Sequence, residues 1–206
     1  MHVREPRVSN VIGFVDELAL QAQCSGDILQ QNAAYNGYHH DTTCNNVMAF
    51  SPTGKIFFAA LNYPGSFHDA QVCHDLIRWC IDSLDEHALC VDQGFPRSGV
   101  MWGKFVGPLS RRQRQNLPPA LRDVLQESHG IYVSLRQASE WGMRTLQGTF
   151  PRLKSRLTSN KLKRLRIIQG VVLLHNFRTK VVGLNQIATV FNPHLDTYDR
   201  IARYFN

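Results

Sequence analysis

Several features are scarce or missing in this chain of 206 residues, and each gap removes a class of protein. Cysteine occurs five times (Cys24, Cys44, Cys73, Cys80 and Cys90) without a C-x-x-C pair. An odd count without a signal peptide argues against a disulfide framework and for a reducing compartment. No apolar run approaches the roughly 20 residues that cross a bilayer. The longest, "IIQGVVLLHNF", is interrupted by Gln169 and Gly170, so a soluble protein with no membrane association is expected. There is no glycine-rich phosphate loop, no G-x-S-x-G elbow and no H-E-x-x-H, and the histidines lack zinc-type spacing with the cysteines. Internal repeats and low-complexity tracts are also absent. Acidic residues are missing from one long segment: between Glu140 and Asp196 there is none, while ten arginines and lysines fall there. Since the net charge is +7, the rest of the chain is three short of neutral. A one-sided field of this kind suits a polyanion, most often nucleic acid, although a solvated basic helix face has the same pattern.

What is present describes a folded domain. With 43% hydrophobic, 19% charged and 10% aromatic residues, the chain has the composition of one globular core, and two domains of this total length would each be small. The run Val11–Val15 is apolar and rich in β-branched residues, as expected for a strand covered on both faces, and it ends in Asp16. "NNVMAFSPTGKIFFAAL" places two apolar runs around Ser51-Pro52-Thr53-Gly54 and predicts an antiparallel hairpin. Val72, Leu76, Trp79 and Cys80 recur at helical spacing, with Ser66 as the expected N-cap. Ala88–Val91 is a second short buried strand and ends in Asp92. Residues 96–130, with Pro108, Pro118 and Pro119, read as a loop-rich insertion carrying one short helix around Ala120–Gln126.

A second helix covers "SLRQASEWGMRTLQGTFPRL". Leu135, Ala138, Gly142, Leu146, Thr149 and Leu153 fall opposite Glu140, which therefore centres a polar face shared with Arg136, Gln137, Arg144 and Gln147. A surface helix whose glutamate pairs with arginines one turn away fits the same pattern. A last helix is expected from about Asn160 to Phe177. This order predicts an α/β protein: a mixed sheet flanked by helices, in which the strands ending in Asp16 and Asp92 lie side by side and parallel. In open α/β sheets the ligand site lies beyond the carboxyl ends of such strands.

Two carboxylates at one sheet edge repel each other, and burial raises the cost of ionising either. A divalent cation offsets that cost, and Mg²⁺ or Mn²⁺ needs only one or two protein carboxylates beside water and phosphate. A pair of such ions can activate a water and stabilise the leaving oxygen of a phosphoryl displacement. Glu140 is the candidate third acid. An aspartate at a strand end is more often a turn or capping residue, so no one of these acids is decisive.

Taken together, "GFVDELAL", "YNGYHH", "NYPGSFHDAQV", "VDQGFPR", "LRQASEWGMRTLQGTFPRLK" and "LLHNFRT" resemble the DDE-superfamily endonuclease domain of PIF/Harbinger-type transposases, over roughly Val11 to Gly183. The resemblance implies an RNase H-like fold and metal-dependent DNA cleavage and strand transfer with Mg²⁺ or Mn²⁺. By motif it assigns Asp16, Asp69, Asp92 and Glu140 to the metal, with Asp16, Asp92 and Glu140 catalytic. Asp92 is favoured over Asp69 as the direct second ligand, with Asp69 close by at the start of its helix. DNA phosphates would be tracked by Arg136, Arg144, Arg152, Lys154, Arg156, Lys161, Lys163, Arg164 and Arg166. The same resemblance implies DNA as the partner, a Myb-like DNA-binding protein as a second one, and location in the nucleus, with the cytoplasm as a further site. It leaves a homo-oligomer open.

Two departures stand out. The family commonly has Gly after the first aspartate, where this chain has Glu17, and no N-terminal helix-turn-helix fits into "MHVREPRVSN". One nuclease domain over residues 1–206 is therefore expected. An inactive, truncated or domesticated DNA-binding or protein-interaction module is the competing function. A phosphatase with a strand-end nucleophile would need an aspartate where Leu18 stands.

Overall fold

The first strand does not stop at Asp16. In the structure, a computed structural model describing residues 8, 10–67, 69–183 and 185–191 (side chains of Asp69 and Ala70 excepted), β1 runs over Val11–Gln21 and carries Asp16 at its middle. It continues because β3 (Asp41–Phe50) pairs antiparallel with it from Phe14 to Gln21, so the ladder supports the strand past its apolar run. β4 (Ile56–Pro64) completes the expected hairpin, closed at Gly54, whose φ of 81° suits glycine. β5 (Ala88–Cys90) joins β1 in parallel, as expected, and β6 (Phe105–Val106) adds a further parallel strand. A short β2 (Tyr35–Asn36), following α1 (Ile28–Ala34), pairs with the first residues of β3. The main sheet therefore runs β4-β3-β1-β5-β6, three antiparallel strands followed by two parallel ones, flanked by helices as in an RNase H-like fold.

Helices cover both faces. On one, α5 (Arg122–Thr149), α6 (Lys161–Val182) and α7 (Gln186–Phe191) bury Leu135, Ala138, Leu146, Ile168 and Phe191 against Phe14, Leu20, Met48 and Phe50. On the other, α3 (His74–Ser83) and the segment after β5 bury Leu76, Cys80, Phe95 and Met101 against Val15, Val47 and Ala49. The helix expected from Ser66 is divided at Cys73 into a single turn, α2 (Asp69–Val72), and α3, and Ser66, three residues before α2 begins, donates its N–H to Ala33 O. The insertion is shorter than expected. It holds β6 and α4 (Arg111–Gln115), but from Arg122 the chain is already α5, because the apolar stripe extends back through Ile131 and Gly130 is tolerated inside the helix.

Gly142 brings α5 close to the sheet, since a Cβ there would lie 2.7 Å from the fully buried Phe50 ring. The closing "LLHNF" segment turns out to be a clamp. The Asn176 amide both accepts from Ile56 N–H and donates to Ile56 C=O, each at 2.8 Å, while His175 Nε2 meets Gly54 O at 2.9 Å. That ties α6 to the hairpin. Among the described residues, no helix is long and apolar enough to cross a membrane, and all five cysteines are free thiols.

Candidate active site

The parallel register of β1 and β5 decides where the acids lie. Phe14 pairs with Cys90, and two residues beyond that pair, in each chain, come Asp16 and Asp92. Side chains alternate along a strand, so both carboxylates fall on the face that Phe14 and Cys90 share, the face covered by α5. β5 ends at Cys90, whereas β1 continues to Gln21 and next meets a neighbour on that side at the Ala22–Leu157 bridge. Asp16 thus lies beside an open stretch of strand edge. A cavity of about 570 Å³ opens there, with Asp16, Glu17 and Asp92 in its wall.

α5 supplies the opposing charges. One turn beyond Tyr132, whose carbonyl faces the Cys90 thiol at 3.9 Å, stands Arg136, and one turn further stands Glu140. Arg136 Nη2 binds Glu140 Oε1 at 2.9 Å, and its Nε approaches Asp92 Oδ1 at 3.3 Å. The second contact is an ion pair without hydrogen-bond alignment, so the buried Nε has no hydrogen-bond partner. Ser139, fully buried, donates its hydroxyl to Arg136 O at 2.8 Å and lies 3.5 Å from Asp16 Oδ2. Glu17 N–H donates to Asp16 Oδ1 at 2.9 Å.

Burial pushes the Asp16 carboxyl up to about 6, and the charges of Asp92 and Glu140 act in the same direction. The Glu17 amide and the Arg136 guanidinium oppose the shift without cancelling it. Asp16 is thus a buried carboxylate that the single guanidinium nearby only partly compensates.

The expected residues divide accordingly. Asp16 and Asp92 share one cleft. Glu140 is joined to them through Arg136 rather than standing in the cleft wall, so its pairing with an arginine one turn earlier, foreseen for a surface helix, is also present. Among the described residues no group of three His, Cys, Asp or Glu side chains is gathered closely enough to hold a metal ion. The two aspartates nevertheless fit a hard divalent cation: they offer oxygen donors on a polar cleft, and burial together with the neighbouring acids raises the affinity of Asp16 for positive charge. Asp69 stands first in α2, at the start of its helix as expected, and its side chain lies outside the described residues.

The basic set is corrected in three places, the first being Arg136, which Asp92 and Glu140 engage. Arg164 is buried, with Nε donating to Asn62 Oδ1 and Nη1 to Thr158 O, so it anchors α6 to β4 and offers nothing to a phosphate. Arg156 grips Asp41 with two hydrogen bonds of 2.8 and 3.0 Å, which hold the Asp41 carboxyl below its usual range. Arg144, Arg152, Lys154, Lys161, Lys163 and Arg166 are exposed. Ser139 and the bridging position of Arg136 were not foreseen from the sequence, whereas Glu17, singled out there as the residue after the first aspartate, stands in the cleft wall. The one available signal was helical spacing, which puts Tyr132, Arg136 and Glu140 in a single column.

An RNase H-like sheet with carboxylates from β1 and from the end of β5 on one cleft, and a glutamate-bearing helix packed across them, defines the class of nuclease-type domains. The chain belongs to the DDE superfamily endonucleases, whose family model matches residues 15–176. No curated protein and no solved structure matches it.

Proposed function

We propose that the chain is a divalent-metal-dependent DNA endonuclease domain of the PIF/Harbinger transposase type, cutting and joining DNA strands in the nucleus. The observation that carries this reading is the register that sets Asp16 beside Asp92 on one cleft, with α5 linking Glu140 to Asp92 through Arg136. Asp16 and Asp92 would hold Mg²⁺ or Mn²⁺, which supplies an activated water and neutralises charge on the phosphate. The chain's own groups set the stage for that chemistry. Arg136 restrains Asp92 and Glu140, and Ser139 braces the helix turn beside Asp16. A non-catalytic module is the second reading. It is favoured by the guanidinium lying between Asp92 and Glu140, and by Glu17, which adds a further acid to the cleft.

The deciding experiment incubates the purified chain with labelled duplex DNA and Mn²⁺. Time-dependent nicking by the wild type and none by Asp92→Asn is expected. DNA binding with no cleavage by either protein would select the second reading.

The exposed cations of α6 should contact phosphate without reading bases, leaving sequence choice to a partner such as a Myb-like protein. Replacing Lys161, Lys163 and Arg166 by Ala is expected to weaken binding to all duplexes alike. The slope of log affinity against log salt should fall by about 2–3. Arg164→Ala should behave differently, costing roughly 2–3 kcal/mol of stability by leaving buried acceptors unpaired, with the salt slope unchanged. Equal slopes for the triple variant and the wild type would show that α6 does not face DNA.

A further inference from the structure

The "YNGYHH" segment has no part in the chemistry above, yet it stands at the same cleft. Tyr38, His39 and Phe67 line the cavity that also contains Asp16, Glu17 and Asp92. Tyr38 is 88% exposed and Phe67 36%, and the His39 ring meets the Tyr38 ring edge-on with centroids 5.2 Å apart. Isolated exposed aromatics need no explanation, but three rings lining the same acidic cleft, two of them in edge contact, give it an aromatic surface.

That surface is held on a rigid frame. Asn36 Oδ1 accepts from Tyr38 N–H at 2.9 Å and His39 N–H at 3.1 Å, and Asn36 Nδ2 donates to Gly65 O at 2.8 Å. Ser66 N–H reaches Ala33 O at 3.1 Å, and Asn45 Nδ2 reaches Phe67 O at 3.2 Å. At Gly65 the two loops lie too close for any side chain, since a Cβ would be 2.3 Å from Thr43 Oγ1 and 2.5 Å from Ala34 O. The rings are thus presented by two loops locked to each other and to β3, which lowers the ordering cost of whatever binds them.

We propose that Tyr38, with His39 and Phe67, is a stacking site for an unpaired nucleobase next to the phosphate addressed by Asp16 and Asp92. The proposal rests on the DNA endonuclease reading. A cavity of about 570 Å³ is of the size that holds a small organic ligand such as a nucleotide. The acids in its wall repel a bare phosphate, so the attractive surface available to the nucleotide is the aromatic one. Stacking is also blind to base identity, in keeping with a chain that contacts phosphates without reading sequence. Within an intact duplex the faces of the bases are covered by their neighbours, so the site selects a base that has left the stack.

The test uses the full chain carrying Asp92→Asn and two DNA duplexes of identical sequence. In one a fluorescent aminopurine is paired, and in the other it faces a mismatch. The Asp92→Asn protein is expected to quench the unpaired base and to bind that duplex about tenfold more tightly. Adding Tyr38→Ala should erase both effects, and adding Tyr38→Phe should restore them. Equal affinity for the two duplexes, or a preference untouched by Tyr38→Ala, overturns the stacking site. Mn²⁺-dependent nicking by the wild type scores the endonuclease reading separately. Nicking without a Tyr38-dependent preference rejects the stacking site alone. The preference without nicking keeps the site and rejects the catalytic reading. Absence of both DNA binding and nicking rejects both.

Discussion

At neutral pH the Asp16→Asn chain is expected to be more stable than the wild type by about 3 kcal/mol, while cutting DNA some 10²–10³-fold more slowly. The stability difference follows from the carboxyl's rise from 3.8 to about 6, caused first by burial and then by the charges of Asp92 and Glu140. Between those two values the folded chain binds more protons at Asp16 than the unfolded chain does. Stability therefore falls as pH rises through that window and stays low above it, because each tenfold rise in proton affinity on folding corresponds to about 1.4 kcal/mol. Asparagine removes the charge, retains an oxygen for the Glu17 amide, and should flatten the profile. The loss of activity follows from removing one of the two aspartates assigned to the metal. Denaturant titrations at a series of pH values, beside nicking rates, check both. A variant that loses activity and stability together would show that Asp16 is a structural acid.

Arg136→Gln is expected to bring the largest change in metal response. Its guanidinium lies within 2.9 Å of Glu140 and 3.3 Å of Asp92, and it also lowers the Asp16 proton affinity. One positive charge thus stabilises three acids in the absence of metal. Removing it should lower apo stability by about 1 kcal/mol, because the half-exposed acids then repel one another without compensation. The same change should tighten Mn²⁺ binding about tenfold, since a cation beside the site no longer opposes the ion. Calorimetric titration with Mn²⁺, and melting temperature with and without it, read both consequences. Identical Mn²⁺ affinity in wild type and Arg136→Gln would place the guanidinium outside the field of the cation site.

Legibility in the sequence followed the range of the interactions involved. The hairpin around Ser51–Gly54, the buried run Ala88–Val91 and the stripe Leu135, Ala138, Gly142, Leu146 depend on local turn chemistry and periodicity. All three could be read from neighbouring residues. The stripe also placed Glu140 on the polar side of α5, where it is half-buried, and the apolar runs correctly anticipated that β1 and β5 are parallel. The pairing of β1 with β3 was not legible. β1 passes through Asp16 because β3 lies against it, and no pattern within "VIGFVDELAL" encodes that partner.

Charge count likewise could not separate Arg166 from Arg164. Two residues apart on a helix point about 200° apart, so one faces water and the other Asn62. The acids were legible as residue types at strand ends or on a helix. Their relation to Arg136 depends on how closely α5 approaches the sheet at Gly142 and on where β5 stops relative to β1. Local periodicity determined the elements, their apolar faces and the acid-bearing positions. Packing between distant segments decided which charges meet, because electrostatic and hydrogen-bond energies depend on separations of a few ångströms that no one-dimensional spacing contains.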